Sequence, residues 1–299
     1  MSSYDLSVFM PSIRTHKQPE WYESLLRSCT RFSFEIVIAG PFDLHEKLAD
    51  LPNVQFIRTY SHPTKASQLA LLVCKGDLVY HTTDDVLFYD GAIDEAIDFF
   101  RWECDDGNGI MSMRYIEGID HSNKTSYGAS YWSMQEWLIG NGFPIQVPAD
   151  WKCNAQFMMP RAKLLDVGGF DCRFEYLVHP TADMELRLQM MGARMIDSPS
   201  DVSNADHYPW YSVDHGPIHD AQNHGDLPLF VSLWKSRCVQ QQHVDPSTGK
   251  QEVRVVVDPG RVDLFNHIGY PDHWVRRFGA VESCASSYDQ LDLKPLEVR

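Results

Sequence analysis

Two adjacent carboxylates stand directly after an apolar, strand-like run in the stretch VYHTTDDVLF, residues 79–88. Neighbouring carboxylates repel each other, so Asp84 and Asp85 need either solvent or a compensating cation. One interpretation is a turn in which both side chains stay hydrated. The other is a seat for a divalent metal ion and the phosphates that it holds, because hard divalent cations prefer carboxylate oxygens as ligands.

The elements that would position this pair are an alternation of strand-like and helix-like stretches. Predicted strands cover 6–10, 34–40, 53–60 and 77–82, and predicted helices cover 20–29, 65–76 and 91–103. Alternation at these lengths predicts crossover units and a mostly parallel α/β sheet flanked by helices. Ligands of such sheets bind beyond the carboxyl ends of the strands. Those ends carry residues 12–15, residues 40–43 and the Asp84–Asp85 pair.

The later part of the chain is less regular. Residues 114–156 are rich in Gly, Ser, Asn, Tyr and Trp, which fits either a loop region with one aromatic-anchored helix or a wall that faces a ligand. A strand, a short helix, a Gly-Gly turn and a longer helix ended by Gly192 follow. After residue 225 only the strand 252–258 has a clear pattern. We predict a main domain at 1–225 and a C-terminal extension at 226–299 that packs on it and is a candidate contact for a homo-oligomer.

Composition excludes several classes of protein. The 299 residues are 43% hydrophobic and 22% charged, an ordinary globular mixture. A net charge of -15 argues against a protein that coats nucleic acid or an anionic membrane. No run reaches the roughly 18 apolar residues of a membrane span, and the N-terminal residues carry no secretory signal pattern. Seven cysteines without a CxxC pair predict reduced thiols, so we expect a cytoplasmic protein.

Four separated segments carry a resemblance to a known family. They are LSVFMPSIRTHKQPEWYESLLRSC, EIVIAG, KASQLALLVCKGDLVYHTTDD, and MPRAKLLDVGGFDCRF followed by TADMELRLQMMG. In this order they resemble the nucleotide-sugar-dependent glycosyltransferases of the GT-A fold, nearest to the family 2 type, across roughly residues 5–210. The resemblance implies a metal-dependent transfer of a sugar from a UDP- or GDP-sugar to a hydroxyl group of a glycan or another acceptor.

The resemblance implies a site for Mn²⁺ or Mg²⁺ that neutralises the diphosphate leaving group. Asp84 is the predicted ligand and Asp85 the second, because the first Asp of the family's DxD motif aligns with Thr82. In this family a His late in the domain often completes the metal shell. The candidates are His207, which we predict, and its alternatives His215 and His219.

An inverting transfer also needs a base that takes the proton of the acceptor hydroxyl. By resemblance this is Asp183, at the start of a helix where the family commonly has Glu-Asp and this chain has Ala182-Asp183. An acid at this place also suits a helix N-cap or first turn, where the helix dipole favours negative charge. The two roles are compatible.

The remaining site predictions concern the donor and the acceptor. Donor residues are predicted at Pro11, Ser12, Arg14, Thr15, Asp43, Lys65, Gln68 and Asp84, with Arg14 and Lys65 as the cations placed to meet phosphate. Acceptor residues are predicted at Trp132, Trp151, Tyr176 and His179, because aromatic faces pack against the apolar faces of sugar rings.

Two other functions compete with transfer. A nucleotidyltransferase that makes an activated sugar would use a similar nucleotide site and cation, but its usual Gly-rich phosphate loop is missing from PSIRTHKQP. A non-catalytic relative that binds carbohydrate or nucleotide would keep the fold and tolerate Thr82 in the metal motif. Release of pyrophosphate would identify the first, and binding without turnover would identify the second.

Overall fold

The structure is a computed structural model that describes residues 4–117, 132–205, 221–258 and 260–261. Its first half forms the predicted alternation of strands and helices. The strands are β1 (Tyr4–Pro11), β2 (Phe34–Gly40), β3 (Val54–Arg58) and β4 (Gly76–His81), and the helices are α1 (Gln18–Ser28), α2 (Glu46–Ala49) and α3 (Pro63–Val73). Both α1 and α3 begin with a proline in the first turn, where the missing N–H is not needed.

The second half adds shorter elements and three further helices of nine residues or more. In chain order they are β5 (Val86–Phe88), α4 (Ala92–Glu103), β6 (Gly109–Ser112), β7 (Tyr115–Glu117), β8 (Trp132–Ser133), α5 (Met134–Gly140), β9 (Lys152–Cys153), β10 (Phe157–Pro160), α6 (Arg161–Asp166), α7 (Val178–Met190), β11 (Arg194–Asp197), β12 (Ser203–Ala205), a π-helical turn (Gln222–Asp226), α8 (Leu227–Lys235), β13 (Cys238–Val244) and β14 (Gln251–Val257). The predicted Gly-Gly turn is present, since Gly168 and Gly169 have φ of 77° and 65°. No helix in these described ranges is long and apolar enough to cross a membrane.

Seven strands form the central sheet in the order β11-β6-β10-β4-β1-β2-β3. All of them run in one direction except β10, which pairs antiparallel with both β4 and β6. The predicted mostly parallel α/β sheet is confirmed. Because β10 is reversed, the residues that precede it lie at the edge of the sheet where β1, β2 and β4 end.

The alternation of side chains along β1 separates two hydrophobic cores. Leu6, Val8 and Met10 pack on one face with Trp21 of α1, whereas Phe9 packs on the other face with residues of α3 and α7. All four strand side chains are fully buried. Each such burial contributes about 1.5–3 kcal/mol, and a slip of one residue would exchange the two faces. The register of the central strands is therefore fixed by their own sequence.

A third core joins the aromatic-rich middle of the chain to its later part. Leu138 of α5 and Leu186 of α7 pack there with Phe230 and Trp234 of α8. Trp234 is fully buried. The helix that carries it was not predicted from the sequence. The described part of the extension thus packs on α7, while the division at residue 225 stays a prediction.

One buried carboxyl group in α7 has a testable consequence. Glu185 is fully buried and accepts hydrogen bonds from the backbone N–H of Asn154 at 3.1 and 3.2 Å. Burial raises the pKa of Glu185 well above its usual value. Since the folded state holds this proton more tightly, the contribution of Glu185 to stability is present at acid pH and is lost as pH rises through the folded pKa.

We therefore expect Glu185→Gln to remove part of the decline in stability toward alkaline pH. The variant keeps the acceptor for Asn154 and should be more stable than wild type above neutral pH by ~1 kcal/mol. Urea unfolding between pH 5 and 9 measures this. Glu23→Gln is the matched control, because Glu23 is 57% exposed and pairs with Lys47 at the surface. Parallel pH profiles for wild type and Glu185→Gln would contradict the expectation.

Candidate active site

A cleft of about 990 Å³ opens at the edge of the sheet where β1, β2 and β4 end and β10 begins. Its lining includes the strand-end residues Ser12, Arg14, Gly40, Asp84 and Asp85. It also includes Trp132, Glu136, Trp137, Asn154 and Tyr176 from the later part of the chain. The sheet thus brings the predicted strand-end residues to one place, and aromatic side chains line the same cleft.

Asp84 connects the strand-end residues of the cleft to one another. Its Oδ2 accepts hydrogen bonds from Ser12 Oγ at 3.0 Å and from the backbone N–H groups of Ile13 and Arg14 at 2.9 Å each. Its Oδ1 accepts from Arg14 Nη1 at 2.5 Å. Asp84 is only 4% exposed, so the hydrated turn considered for the pair does not describe it. Its carboxylate instead holds the loop after β1 in place.

Asp85 lies beside the same guanidinium. Its Oδ2 is 3.8 Å from Arg14 Nη1, and Asp85 is 9% exposed. The loop that carries both carboxylates is fixed from α1, because Trp21 Nε1 donates to the carbonyl of Thr83 at 3.2 Å. Arg14 therefore contacts two nearly buried carboxylates, and all three residues line the cleft.

The surroundings of Asp84 differ from those of the predicted metal site. In the part of the chain that the structure describes, no group of three or more His, Cys, Asp or Glu side chains is placed to hold a metal ion. His207, His215 and His219 lie outside the described residues. Asp84 already accepts four hydrogen bonds, and a guanidinium takes the place next to it where a cation would bind. The described residues do not fit Mn²⁺ or Mg²⁺ in this arrangement, and the metal stays a prediction.

The strand that leads to the carboxylate pair carries buried polar groups as well. Thr82, at the place of the family's first Asp, donates from Oγ1 to Gln156 Oε1 at 3.1 Å. Burial lowers the pKa of His81 to about 3, so its ring is neutral, with Nε2 3.1 Å from Ser67 Oγ. These residues fix β4 against β10 and α3 rather than offering charge to a ligand.

The remaining donor predictions divide into two groups. Pro11, Ser12 and Arg14 line the cleft. Thr15 donates from Oγ1 to the carbonyl of Asp43 at 3.1 Å, and the exposed Asp43 carboxylate pairs with Arg58. Thr15, Asp43 and Lys65 are not among the lining residues of the cleft as far as the chain is described.

Gln68 has a different position from the one predicted. It is 2% exposed on α3, and its Oε1 accepts from the N–H of Phe170 at 2.7 Å while its Nε2 donates to the carbonyl of Gly168 at 3.3 Å. Both ends of its amide therefore hold the Gly-Gly turn. Gln68 therefore links α3 to that turn. Its position does not support the predicted contact with a nucleotide.

Asp183, the predicted base, is buried behind the cleft wall. Its Oδ2 accepts from Arg187 Nε at 2.8 Å and its Oδ1 accepts from Trp234 Nε1 at 3.1 Å, while Arg237 Nη1 is 4.0 Å away. Asp183 and Arg187 are 2% and 1% exposed. In the described chain the cleft is lined by Ala182 and not by Asp183. The assignment of Asp183 as base stays a prediction that its position does not support.

Comparison with known proteins identifies solved structures that are similar to this architecture. No family model matches the chain, and no curated protein sequence matches it significantly. A crystal structure of S. aureus TarS 1-349 in complex with UDP is similar with a TM-score of 0.50 and 13% identity, over 77% of this chain and 64% of that one. The chain has the GT-A fold. A second structure, TarS 1-349 in complex with UDP-GlcNAc, gives a TM-score of 0.49 and 14% identity over 76% and 66%. The chain spans just under two thirds of these TarS chains.

In the GT-A cleft of this chain, only some acceptor predictions reach the surface. Trp132 and Tyr176 line the cleft. Trp151 packs against the third core. His179 is 1% exposed between Trp137 and Phe230, and burial lowers its pKa to about 4. The sequence predicts an aromatic wall but not which of its rings face inward.

Several residues of the GT-A cleft were not predicted from the sequence. They are Tyr60, His62, Glu136, Trp137 and Asn154. His62 caps α3, since its Nδ1 accepts from the N–H of Lys65 at 3.3 Å, and burial lowers its pKa. The sequence signal for His62 was the following Pro63 at a helix start, which marks a cap position. Glu136 and Trp137 follow Ser133, whose Oγ accepts from Glu136 N at 3.3 Å, a capping pattern that places α5 beside the cleft.

Proposed function

We propose that this protein is a glycosyltransferase that moves a sugar from a nucleotide-diphosphate sugar to a hydroxyl group of an acceptor. The observation that carries the proposal is the composition of the cleft lining. It includes Arg14, held beside the carboxylates of Asp84 and Asp85, and the aromatic side chains of Trp132, Trp137 and Tyr176. A guanidinium suits phosphate, whereas aromatic faces suit sugar rings.

The fold supports the same proposal. TarS 1-349 shares the GT-A fold and has been crystallised in complex with UDP. This makes UDP and UDP-sugars the first donors to test, with GDP-sugars as the alternative from the sequence. The acceptor would lie against Trp132, Trp137 and Tyr176.

Two carboxylates are candidates for the proton of the acceptor hydroxyl. Glu136 is exposed on α5 and lines the cleft. Asp183 would have to leave Arg187 and Trp234 before it could reach a substrate. A base must lie within hydrogen-bond reach of the proton that it removes, so a carboxylate in the cleft lining is the better candidate.

A non-catalytic binding protein is the second candidate. The observation that favours it is the burial of Asp183 in an ion pair, which removes the predicted base from the cleft. Both proposals expect nucleotide binding. Only the first expects hydrolysis or transfer of the bound sugar.

A panel of nucleotides and sugar nucleotides tests the proposal. We expect UDP or GDP, and one of their sugars, to raise the melting temperature, because a ligand present at 100 times its Kd adds about 2.7 kcal/mol to stability. Release of free nucleotide from that sugar nucleotide should then be measurable, and should rise with an added sugar acceptor. Adenosine diphosphate with the same charge is the control for unspecific phosphate binding. No shift and no turnover with any UDP-, GDP- or dTDP-sugar would refute the function, and a shift without turnover would favour the binding protein.

A further inference from the structure

The Asp84–Arg14 contact does more than close a loop. Asp84 binds the segment after β1 at three consecutive residues, Ser12, Ile13 and Arg14. These contacts fix the backbone at the point from which the Arg14 side chain leaves. The same carboxylate then accepts from the end of that side chain at 2.5 Å. Asp84 therefore positions both the backbone and the guanidinium of Arg14.

The guanidinium of Arg14 is partly accessible from the cleft. Its side chain is 15% exposed and lines the cleft, so a ligand can reach it while most of its surface is withdrawn from water. Asp84 and Asp85 together carry two negative charges against this single guanidinium. Electrostatic interactions are stronger in such partly buried surroundings than in water. A guanidinium has five N–H donors in a rigid plane, which suits a phosphate group as well as a carboxylate.

A divalent ion on the same carboxylates would compete with this arrangement. Such an ion needs carboxylate oxygens as direct ligands. The Oδ2 of Asp84 already accepts three hydrogen bonds, and its Oδ1 faces the guanidinium. Asp85 Oδ2 is 3.8 Å from the same Nη1. A metal ion bound by either residue would stand beside a like charge, so the guanidinium and the ion exclude each other.

We infer that Arg14 supplies the positive charge for a nucleoside diphosphate in this cleft, with Asp84 as its positioning residue, so that binding of the diphosphate needs no divalent cation. This inference rests on the proposed function. It differs from the expectation of the sequence, in which Asp84 is the metal ligand.

Calorimetry with UDP and GDP, in excess EDTA and in excess Mn²⁺, tests the inference directly. The nucleotide that binds should do so with the same Kd within about threefold in both conditions. Arg14→Ala should weaken binding in EDTA by about 10- to 100-fold, the loss expected for a charge-assisted hydrogen bond. Arg58→Ala is the matched control, since Arg58 is 40% exposed and pairs with Asp43 outside the cleft lining. Binding to Arg58→Ala should equal wild type.

A second readout follows Mn²⁺ itself, without nucleotide or turnover. The electron spin resonance signal of free Mn²⁺ should fall little with wild-type protein and more with Arg14→Ala, because the competing cation is gone. Arg14→Lys, which keeps the charge and is a milder change if Arg14→Ala unfolds, should resemble wild type in this titration. Nucleotide binding that EDTA abolishes in the wild type would overturn the inference and leave the proposed function standing. No binding of either nucleotide in either condition would overturn the proposed function as well.

Discussion

Asp183→Asn is expected to lower the free energy of unfolding by about 3–5 kcal/mol. The substitution removes the charge that faces Arg187 Nε at 2.8 Å, and Arg187 is 1% exposed. The guanidinium would keep its contacts to the carbonyl groups of Val167 and Gly169, but these carry no full charge. An uncompensated buried cation is costly because it has lost its hydration without gaining a counter-ion. The amide that replaces this carboxylate has one oxygen, so it cannot accept from both Trp234 Nε1 and Arg187 Nε as the carboxylate does.

Differential scanning calorimetry and urea unfolding measure this effect. A loss of this size corresponds to a fall of roughly 10 °C in melting temperature for a chain of this length. Asp90→Asn is the matched control, because Asp90 forms a surface ion pair with Arg27 in which both side chains are more than half exposed. Its stability should change by less than ~0.5 kcal/mol.

The same variant separates the two interpretations of Asp183. If Asp183→Asn keeps the wild-type melting temperature and loses turnover, Asp183 is a base that faces the substrate, and the buried ion pair is refuted. If the variant is destabilised but still turns over substrate below its melting temperature, the base lies elsewhere, with Glu136 as the next candidate.

Gly40→Ala adds only one methyl group, but it is expected to displace the end of β1 that lines the cleft. A Cβ atom at Gly40 would lie 2.0 Å from the carbonyl oxygen of Ser12, which is backbone and cannot rotate away. The strands on both sides are tied, since Ser12 N donates to Ala39 O and Thr59 N donates to Gly40 O, each at 2.9 Å. Relief therefore requires a shift of the end of β1 and of the loop that carries Arg14. Overpacking of this kind costs about 1–3 kcal/mol in stability.

The effect on function should be larger than the effect on stability. A displacement of about 1 Å in a binding group costs on the order of 100-fold in kcat/KM, and nucleotide affinity should fall with it. Kinetics with the sugar nucleotide found in the panel, together with calorimetry of the free nucleotide, measure the two losses. Gly140→Ala is the matched control, because a Cβ at this last residue of α5 meets no atom within 4 Å. It should leave kinetics unchanged and add up to ~1 kcal/mol of stability. Equal behaviour of the two variants would contradict the close approach of β1 and β2.

The sheet could be predicted from the sequence because its strands are buried on both faces. Segments such as FEIVIAG are continuous apolar runs bounded by turn residues, and such runs between amphipathic helices are typical of buried parallel strands. The position of the cleft followed from the same rule, since the ends of parallel strands meet at one edge. Helix α8 was missed because its nine residues, LPLFVSLWK, are apolar almost throughout and show no clear helical periodicity, although only Phe230 and Trp234 are buried. The buried face becomes recognisable only when its partners on α5 and α7 are known.

The direction of individual side chains could not be predicted in the same way. Residues 179–189 of α7 are all buried, so the helix has no outer face from which the orientation of Asp183 could be inferred. The sequence did hold one signal: Arg187 stands four residues after Asp183, the spacing of a helical ion pair. Gln68 shows the same limit, because an amide on a buried helix can serve a turn or a ligand equally well. Position along the chain locates a site, whereas hydrogen-bond partners decide what each residue does in it.

The reversal of β10 has a consequence for how this protein can diverge. Ser112 at the end of β6 and Phe157 at the start of β10 are paired neighbours in the sheet. The chain therefore leaves the sheet and returns to it at nearly the same point, and the part between carries Trp132, Glu136 and Trp137 of the cleft wall. A segment with adjacent ends can change length or be exchanged as a cassette without altering the sheet that holds Arg14 and Asp84. The segment must keep Leu138 and its neighbours matched to α7 and α8. It must also keep the pairing of β7 with β12 and the acceptor that Gln156 offers to Tyr80 and Thr82. Under the proposed function, the acceptor side of the cleft would then change separately from the donor side.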